Sequence, residues 1–271
     1  MLSGALGAEV LGIDLKDSSL EYWNKINNLL LEHKALFFRD QNITSEEQIN
    51  LAKRFGPLER HIYVKGRENY PEILRIIKEP DEKRQWGETW HTDVSYNPKP
   101  TKVIILRSLK IPPVGGDTMF SNMEIAYETL DEKIKSKIRD KKAVHSSLGA
   151  AAFTEAYKAM EGNGNLDEYS NAHPMVRTHP ETGKKILYVN SMYTKKILDT
   201  DAQESEDILK QIFAHQERLD FTCRFKWTEN AVAIWDNRST LHQGLTDFFP
   251  GRGLGHERVM DRIAIEGDHP L

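Results

Sequence analysis

The chain has 271 residues, enough to bury a large apolar core without the help of disulfide bonds. Its one cysteine, Cys223, excludes an internal disulfide framework and is typical of a reducing compartment, so we expect a cytoplasmic protein. The formal net charge of −4, with both signs interspersed, excludes a basic surface for nucleic acid or anionic membranes. The N-terminus lacks a secretory pattern, and no apolar run approaches the roughly 20 residues that span a bilayer.

The first predicted elements are a short strand near Ala8 to Ile13 and a helix that follows it. Ser18 and Glu21 have the spacing of a capping box, so we expect the helix to begin at Ser18. The apolar stripe of this helix consists of Leu20, Trp23, Ile26 and Leu30.

A second strand and a second helix come next. The apolar segment ALFFR predicts the strand. Thr44 and Glu47 repeat the capping-box spacing, and they predict a helix that ends at Gly56-Pro57.

Short strand patterns dominate from Ile73 onward, in the segments ILRII, VIILRSL, AVHSS, KKILYVN, FTCRFKW, AVAIWDN, STLHQG and RVMDRIAI. Two helical patterns interrupt them, near Glu124 to Arg139 and near Ala202 to Arg218. Many short strands separated by turns favour a mainly β fold, a β-sandwich or jelly roll with peripheral helices (α+β). No internal repeat or low-complexity linker divides the chain, so we expect one domain over residues 1–271.

The segment WHTDVSYNP, Trp90 to Pro98, places a histidine and an aspartate two residues apart. Side chains at i and i+2 of an extended segment project to the same side, so His91 and Asp93 can face one ion. The pair alone is a weak signal, because in a chain of this composition a histidine and an aspartate two residues apart are expected by chance roughly 0.5 times. A similar pair, His179 and Glu181, lies in THPETGKK, whose composition indicates a hairpin connection.

His242 is the candidate third ligand. It lies in AVAIWDNRSTLHQG, two strand-like segments whose apolar residues and Trp235 indicate burial. With His91 and Asp93 it makes two imidazoles and one carboxylate, the facial triad of non-haem ferrous oxygenases. Three other histidines are assigned to a helix end, a helix and the C-terminal tail: His33, His215 and His269.

Arg258 and Arg262 follow in the strand-like segment HERVMDRIAI, where a period of two puts both side chains on one face. Two guanidinium groups on one face repel unless they meet anions, and their planar forks suit a carboxylate. The alternative is that both arginines pair with the neighbouring acids Glu257 and Asp261. In PPVGGDTMFSN, Thr118 follows a Gly-Gly turn and could offer its hydroxyl to a carboxylate oxygen.

Taken together, these segments resemble the taurine dioxygenase family, ferrous and 2-oxoglutarate-dependent enzymes that include chlorophenoxyacetate dioxygenase. The similarity runs through LGAEVLGIDL, ALFFRDQNIT, FGPLERHI, WHTDVSY, PPVGGDTMFSN, VRTHPETGKKILYVN, AIWDNRSTLHQG and RVMDRIAI. The resemblance implies a double-stranded β-helix, a cupin-like jelly roll with appended helices.

The resemblance also implies roles for individual residues. His91, Asp93 and His242 match the ligands of Fe(II). Thr118 and Arg258 match the residues that hold the C5 carboxylate of the co-substrate, 2-oxoglutarate.

Three further matches concern the substrate. Arg262 matches the arginine that meets the sulfonate in the taurine enzymes, His61 matches a substrate-contacting histidine, and Tyr193 matches the aromatic residue over the substrate. Val64 and Gly87 depart from the pattern, because they stand where the taurine enzymes have a tyrosine and, nearby, an asparagine. These departures leave fewer hydrogen-bonding groups for a substrate amine. The loop between His242 and Arg258, with GRGLG at its tip, is also longer than in the taurine enzymes. We therefore expect a small organic anion such as a sulfonate, a sulfate ester or a carboxylate, with taurine itself disfavoured.

The implied reaction is hydroxylation of this anion by O2, with release of succinate and CO2. Ascorbate is expected to support the activity, and a homo-oligomer is expected by analogy with the family. The residues alone leave two alternatives open. One is a zinc hydrolase, which also uses two histidines and a carboxylate, although no H-E-x-x-H helix occurs. The other is a jelly-roll protein that binds a small anion on Arg258 and Arg262 without turnover.

Overall fold

The computed structural model describes residues 1–17, 19–82, 87–148, 169–247 and 255–271. The strands in these ranges are β1 (Ala8–Glu9), β2 (Ala35–Phe38), β3 (Leu58–Glu59), β4 (Leu74–Lys78), β5 (Val103–Lys110), β6 (Thr118–Asn122), β7 (Lys142–Ser146), β8 (Ser170–Pro174), β9 (Val176–Thr178), β10 (Lys185–Leu187), β11 (Thr194–Ile197), β12 (Thr222–Phe225), β13 (Val232–Asp236), β14 (Thr240–Gly244) and β15 (Arg258–Ile265). The helices are α1 (Leu20–His33), α2 (Ser45–Lys53), α3 (Met123–Glu128), α4 (Glu132–Ile138), α5 (Ala202–Gln216) and a 3₁₀ helix (Leu219–Phe221). No helix in the described ranges is both long and apolar enough to cross a membrane.

Most strands belong to one large sheet and two smaller ones. The large sheet has the order β1-β2-β13-β5-β15-β3, and β4 also pairs with β15. The smaller sheets are β12-β6-β14 and β11-β7-β8, and β9 and β10 form a separate hairpin. The predicted mainly β fold with peripheral helices is therefore confirmed.

Both faces of the large sheet are buried, which explains why its central strands are continuous apolar runs rather than alternating patterns. On β13, Val232 and Ile234 pack into a core that includes side chains of α1 and α2. Ala233 and Trp235 point to the opposite face, where they share a core with Phe120 of β6. This second core joins the large sheet to the sheet β12-β6-β14, and the candidate site residues lie beside it.

The starts of α1 and α2 are set by side-chain caps. The cap of α1 is Ser19, whose hydroxyl accepts from the Tyr22 N–H at 3.4 Å, so the cap lies one residue later than predicted. Ser18 itself lies outside the described residues. The capping box of Thr44 and Glu47 is confirmed. The described members of the predicted stripe of α1 pack against the core: Trp23, Ile26 and Leu30.

Two helices end earlier than predicted. α2 ends at Lys53 rather than at Gly56-Pro57. The predicted helix from Glu124 to Arg139 is two helices, α3 and α4. The helix is interrupted between them because Asp131 caps α4, and its carboxylate accepts from the Lys133 N–H at 2.8 Å.

Several short strands were not predicted: β3, β6, β8, β9 and β11. The most consequential is β6, because the segment PPVGGDTMFSN was interpreted only as a turn. Its second half pairs with β12 on one side and with β14 on the other, which puts Phe120 opposite both Cys223 and His242. The predicted strand near Ala8 is shorter than expected, since β1 covers only Ala8–Glu9.

Candidate metal centre and anion pocket

His91 and His242 are joined by their backbones. The His91 N–H donates to the His242 carbonyl at 3.0 Å, and the His242 N–H donates to the His91 carbonyl at 2.9 Å. This isolated antiparallel bridge adds His91 to the edge of β14. The two imidazole rings consequently lie side by side, with centroids 4.2 Å apart.

Asp93 lies in a turn after this bridge, not in the extended segment that was predicted. Val94 has a φ of 45°, a left-handed conformation that β-branched residues rarely adopt, and the chain turns there. Asn237 clamps the turn, because its Oδ1 accepts from the Asp93 N–H at 3.0 Å. Its Nδ2 donates to the carbonyls of Asp93 and Thr101, at 3.3 and 2.9 Å. The direction of the Asp93 side chain is thus set by Asn237, which lies in the connection between β13 and β14.

The ligand atoms of His91, Asp93 and His242 lie within 4.8 Å of one another. His91 Nε2 is 3.8 Å from Asp93 Oδ1, and His242 Nε2 is 3.4 Å from Asp93 Oδ2. Arg262 Nη2 lies 3.3 Å from the same Oδ2 atom. Two imidazole nitrogens and a carboxylate oxygen at these separations could hold one transition-metal ion.

The protonation states suit a metal ion. His91 Nδ1 hydrogen-bonds to the Thr89 carbonyl at 2.7 Å, so its proton lies there and Nε2 keeps a lone pair. Burial lowers the pKa of His91, and burial with the neighbouring imidazole lowers the pKa of His242 to about 3. Burial opposes ionisation of Asp93, but Arg262 and the two histidines outweigh it and hold the pKa of this carboxyl well below its usual range. Neutral imidazoles and an ionised carboxylate are the forms that bind metals.

Two local features test whether the residues fit a metal. Asp93 Oδ2 is buried and, apart from its ion pair with Arg262, accepts no hydrogen bond from the described residues. Beyond that ion pair, the oxygen keeps a lone pair with which it could bind a metal ion. Gly87 has a φ of 77°, and a Cβ there would lie 3.2 Å from His91 Cε1, so only glycine lets the backbone pass this close. The donor set and its packing therefore fit a bound metal ion.

The three candidate ligands line one pocket. Its described lining consists of His61, Leu74, Ile76, Gly87, His91, Asp93, Leu106, Thr118, Trp235, His242, Gly244, Arg258 and Arg262. Among these described residues Asp93 is the only carboxylate, whereas two arginines and several apolar side chains contribute to the wall. A larger hollow lies between α1 and α2 and shares no residue with this pocket.

Arg258 and Thr118 lie together against Trp227. Trp227 Nε1 donates to Thr118 Oγ1 at 3.0 Å, and the Arg258 guanidinium lies 5.9 Å from the Trp227 ring centroid. Burial lowers the pKa of Arg258 to about 10, despite the nearby carboxylate of Asp117. Arg258 Nε has no hydrogen-bond partner among the described residues. A buried guanidinium with an unused donor is stabilised by an anion, and a carboxylate matches its geometry.

Arg262 faces the same pocket as Arg258, as the period of two predicted. In the sheet register it lies between Leu74 of β4 and Leu106 of β5, and both leucines line the pocket. The charge of Arg262 is therefore flanked by apolar side chains and by the carboxylate of Asp93.

The acids next to the two arginines are engaged elsewhere. Glu257 forms an ion pair with Lys110. Asp261 accepts from Arg75 at 2.8 and 2.9 Å and from Arg67 at 3.1 Å. The alternative that Arg258 and Arg262 pair with these acids is therefore wrong.

His61 lines the pocket as a neutral donor. Its Nδ1 accepts from the backbone N–H groups of Tyr63 and Val64, both at 3.2 Å, so its proton lies on Nε2. Burial, with the charge of Arg262, lowers the pKa of His61 to about 3. His61 and Arg262 thus both present N–H donors to the pocket.

Tyr193 is close to the centre without lining the described pocket. Its ring lies edge-on to His91, with centroids 6.2 Å apart. It belongs to a buried apolar cluster over the site, which also contains Tyr63, Val64, Leu74, Val94, Tyr96 and Met192. The GRGLG loop cannot be compared in the same way, because residues 251–254 lie outside the described ranges.

The alternative pair, His179 and Glu181, is structural. His179 Nδ1 accepts from the N–H groups of Glu181 and Thr182, at 3.2 and 3.1 Å, and Nε2 lies 2.9 Å from Asp236 Oδ2. Glu181 forms an ion pair with Arg238 at 2.7 Å. The predicted hairpin connection is confirmed between β9 and β10. The other histidines that were set aside are absent from the described lining of the pocket: His33, His215 and His269.

Sequence reasoning missed four residues that support the site: Thr89, Asn237, Trp227 and Glu59. Glu59 lies at the register position of Ala264, two residues beyond Arg262 on β15, and interacts electrostatically with Arg262. Thr101 Oγ1 donates to it, and burial raises the pKa of the Glu59 carboxyl to about 7. Among these four residues only Asn237 had a sequence signal, a polar side chain at the end of the apolar segment AVAIWDN.

Comparisons with known proteins decide the family. The family model described as "Taurine catabolism dioxygenase TauD, TfdA family" matches residues 1–263. The chain belongs to this family. As a taurine dioxygenase family member it is a 2-oxoglutarate-dependent non-haem iron dioxygenase, which sets aside the zinc hydrolase and the non-catalytic binding protein.

The matches with individual relatives in the taurine dioxygenase family cover almost the whole of this chain. An alkylsulfatase of Acinetobacter baylyi is 35% identical over 98% of this chain and 84% of its own length. A (S)-phenoxypropionate/alpha-ketoglutarate-dioxygenase of Sphingobium herbicidovorans is 32% identical over 98% of this chain and 95% of its own. The crystal structure of a taurine dioxygenase from Burkholderia xenovorans has a TM-score of 0.83 and 33% identity, and the match covers 100% of this chain and 90% of that one. The expected double-stranded β-helix is thereby confirmed.

Proposed function

We propose that this dioxygenase hydroxylates small organic anions that carry an apolar group, in particular alkyl sulfate esters or alkyl sulfonates. One observation carries the proposal: a pocket that combines the candidate metal centre with two buried arginines and apolar walls. Iron and 2-oxoglutarate, when bound, supply the oxidising chemistry that converts C–H to C–OH. The protein contributes position, charge and exclusion of water.

In this proposal His91, Asp93 and His242 hold the iron. Their protonation states and mutual distances support that assignment. Thr118 and Arg258 hold the C5 carboxylate of 2-oxoglutarate. Support comes from Arg258 Nε, which has no hydrogen-bond partner among the described residues, and from the Trp227 donor that orients the Thr118 hydroxyl.

Arg262 and His61 receive the negative head group of the substrate. Both line the pocket that holds the candidate metal ligands, and both offer N–H donors at neutral pH. A sulfate or sulfonate has three oxygens that can accept from such donors at once. Tyr193, beside His91, forms part of the buried apolar cluster and would contact the substrate.

The rest of the substrate is apolar in this proposal. Leu74, Ile76 and Leu106 surround the position of Arg262, so an alkyl or aryl group would contact them. An ammonium group such as that of taurine would find no carboxylate in the described lining other than Asp93, which is assigned to the metal. The relatives named alkylsulfatase and phenoxypropionate dioxygenase fit this substrate class.

The chemistry of the product follows from where the hydroxyl is placed. A carbon that carries both a hydroxyl and a sulfate ester, a sulfonate or an ether oxygen collapses to a carbonyl. The leaving group is then sulfate, sulfite or an alcohol, respectively. The protein needs no side chain as principal base for this step, because the hydroxylated product decomposes by itself.

The test is succinate formation under air with Fe(II), 2-oxoglutarate and ascorbate, in the presence of single candidate substrates. The panel contains a medium-chain alkyl sulfate, the matching alkyl sulfonate, phenoxypropionate and taurine. We expect the alkyl sulfate or sulfonate to stimulate succinate most, and His91→Ala to abolish the stimulation. A preference for taurine, or for a neutral or cationic compound, would contradict the proposed substrate class.

We further propose that residues 1–271 act as one dioxygenase domain, that the enzyme is a cytoplasmic homo-oligomer, and that ascorbate supports its activity. The single, buried cysteine fits a reducing compartment in which ferrous iron persists. Sedimentation of the iron-loaded protein tests the oligomer, and omission of ascorbate from the succinate assay tests its role.

A further inference from the structure

Four of the nine tyrosines of the chain form a row that starts at the metal centre and ends at the surface. The Tyr193 ring is 6.2 Å from that of His91, and the Tyr96 ring is 5.0 Å from that of Tyr193. Tyr63 lies 6.2 Å from Tyr96, and Tyr169 lies 5.5 Å from Tyr63, all between ring centroids. Each ring is therefore in or near contact with the next.

The row changes from buried to exposed along its length. Tyr193, Tyr96 and Tyr63 are 3%, 1% and 7% exposed, whereas Tyr169 is 42% exposed. The three inner rings belong to the buried apolar cluster over the site, which shields them from water. The outer end is tied together by Ser147, whose Oγ accepts from the Tyr63 hydroxyl at 2.8 Å and from the Tyr169 N–H at 3.1 Å.

Packing alone does not require phenols in this row, because phenylalanine fills nearly the same volume. A phenol differs from a phenyl ring in that it loses an electron, together with its proton, far more readily. Transfer between neighbouring rings in contact is much faster than transfer over the whole distance in one step. A row of phenols next to an oxidising metal centre is thus a conduit for single electrons.

We propose that this row carries electrons from the protein surface to the metal centre when dioxygen is activated in the absence of bound substrate. The inference rests on the proposed iron site at His91, Asp93 and His242. In such an uncoupled turnover 2-oxoglutarate and O2 would give succinate and CO2, and the iron that His91, Asp93 and His242 would hold would supply a two-electron oxidising equivalent together with the second oxygen atom of O2. Without a C–H bond of substrate to react with, this equivalent would oxidise the residues around it.

Tyr169 supplies two electrons, one at a time, through Tyr63, Tyr96 and Tyr193, and two protons from solvent convert the retained oxygen atom to water. Each oxidised Tyr169 releases its phenolic proton to solvent. Ascorbate then returns one electron and one proton to the Tyr169 radical, and it ends as dehydroascorbate after two such steps. The iron returns to the ferrous state, and no protein residue is consumed.

The experiment is uncoupled turnover of the iron-loaded protein with 2-oxoglutarate and air, without substrate. Three readouts are taken: succinate, the electron paramagnetic resonance signal of freeze-quenched samples, and the mass of tryptic peptides. We expect a tyrosyl radical whose signal narrows when the protein is made with ring-deuterated tyrosine. Ascorbate should remove the signal.

Two variants interrupt the row without changing its shape. In Tyr169→Phe and in Tyr63→Phe we expect severalfold fewer uncoupled turnovers before inactivation, with oxygen added to Tyr193 or to its neighbours. Tyr22→Phe is the matched control, because Tyr22 is 37% exposed and lies on α1, outside the row. It should behave as the unmodified protein does. In Tyr169→Phe, the rate of turnover with a substrate that the enzyme hydroxylates should be unchanged.

The outcomes separate this inference from the proposed function. Succinate without a tyrosyl radical, or equal survival of the two row variants and the control, would overturn the inference alone. Absence of succinate from every sample would overturn the proposed function, and with it the inference. Equally fast removal of the radical signal by ascorbate in both row variants and in the unmodified protein would also overturn it, because electrons would then reach the radical without Tyr63 and Tyr169.

Discussion

His91 and His242 exchange two backbone hydrogen bonds, at 3.0 and 2.9 Å, although they are far apart in the chain. The bridge holds the two imidazoles at a fixed separation before any metal arrives. Asp93 is positioned by the side chain of Asn237, which accepts from the Asp93 N–H and donates to the Asp93 carbonyl. The centre is therefore organised by backbone contacts, and its residues need little rearrangement to bind an ion.

Asn237→Ala should weaken iron binding by about 10- to 100-fold, because the Asp93 carboxylate loses its orientation. Gln41→Ala is the matched control, since the Gln41 amide is also buried and also makes three hydrogen bonds to backbone groups. Both variants should lose about 1–3 kcal/mol of unfolding free energy. Anaerobic titration with Fe(II) measures affinity, and an equal loss of affinity in both variants would argue against a specific role for Asn237.

Gly87→Ala should disturb the metal centre, because its Cβ would lie 3.2 Å from His91 Cε1. Gly183→Ala is the control: its φ of 70° is close to the 77° of Gly87, but a Cβ there meets nothing within 4 Å. Both substitutions should cost about 1–2 kcal/mol of stability through backbone strain. Only Gly87→Ala should lower Fe(II) affinity. If the two variants bind iron equally well, the close packing of Gly87 against His91 has no functional effect.

Arg258→Met should lower the affinity for 2-oxoglutarate by about 2–3 kcal/mol, roughly a hundredfold, because a charge-assisted hydrogen bond to its C5 carboxylate is lost. Arg107→Met is a suitable control, since Arg107 also has a buried Nε without a partner among the described residues but does not line the pocket. Anaerobic calorimetry of 2-oxoglutarate binding to the iron-loaded variants measures this difference. Unchanged binding to Arg258→Met would contradict the assignment of the carboxylate site.

Stability of the metal-free protein should fall as the pH drops below about 6.5. Burial is the main cause that lowers the pKa of His145 to about 3 and the pKa of His173 to about 4. In the unfolded chain histidine titrates near about 6.5, so between these values only the unfolded chain binds the protons. The unfolding free energy should therefore decrease by about 1.4 kcal/mol per pH unit for each such histidine.

Urea unfolding at several pH values between neutral and mildly acidic measures this slope. His173→Asn removes one of these groups and should reduce the slope by the contribution of one proton, or about 1.4 kcal/mol per pH unit. A slope that does not change in His173→Asn would show that this histidine is protonated equally in the folded and unfolded states.

The sequence by itself determined the residue types, and with them the reaction class. Apolar runs such as VIIL predict strands, and the period of two places Arg258 and Arg262 on one side of β15, because these are local properties of an extended chain. Helix starts were predicted to within about one residue, since a cap depends on contacts three residues apart. The extended conformation predicted for His91 is confirmed by its β-bridge, but that predicted for Asp93 was wrong, because the chain turns at Val94 in a left-handed conformation that no local pattern indicated.

Only the tertiary structure decided which of these groups meet. The bridge between His91 and His242 and the clamp from Asn237 join parts of the chain that are distant in sequence, and their positions depend on how the sheets close. The same closure leaves Arg258 Nε without a hydrogen-bond partner in the part of the chain that the structure describes, while Asp261, on the same strand, is held by Arg75. Burial, partners and pKa are properties of that closed arrangement, and they follow from long-range packing rather than from the order of residues along any single strand.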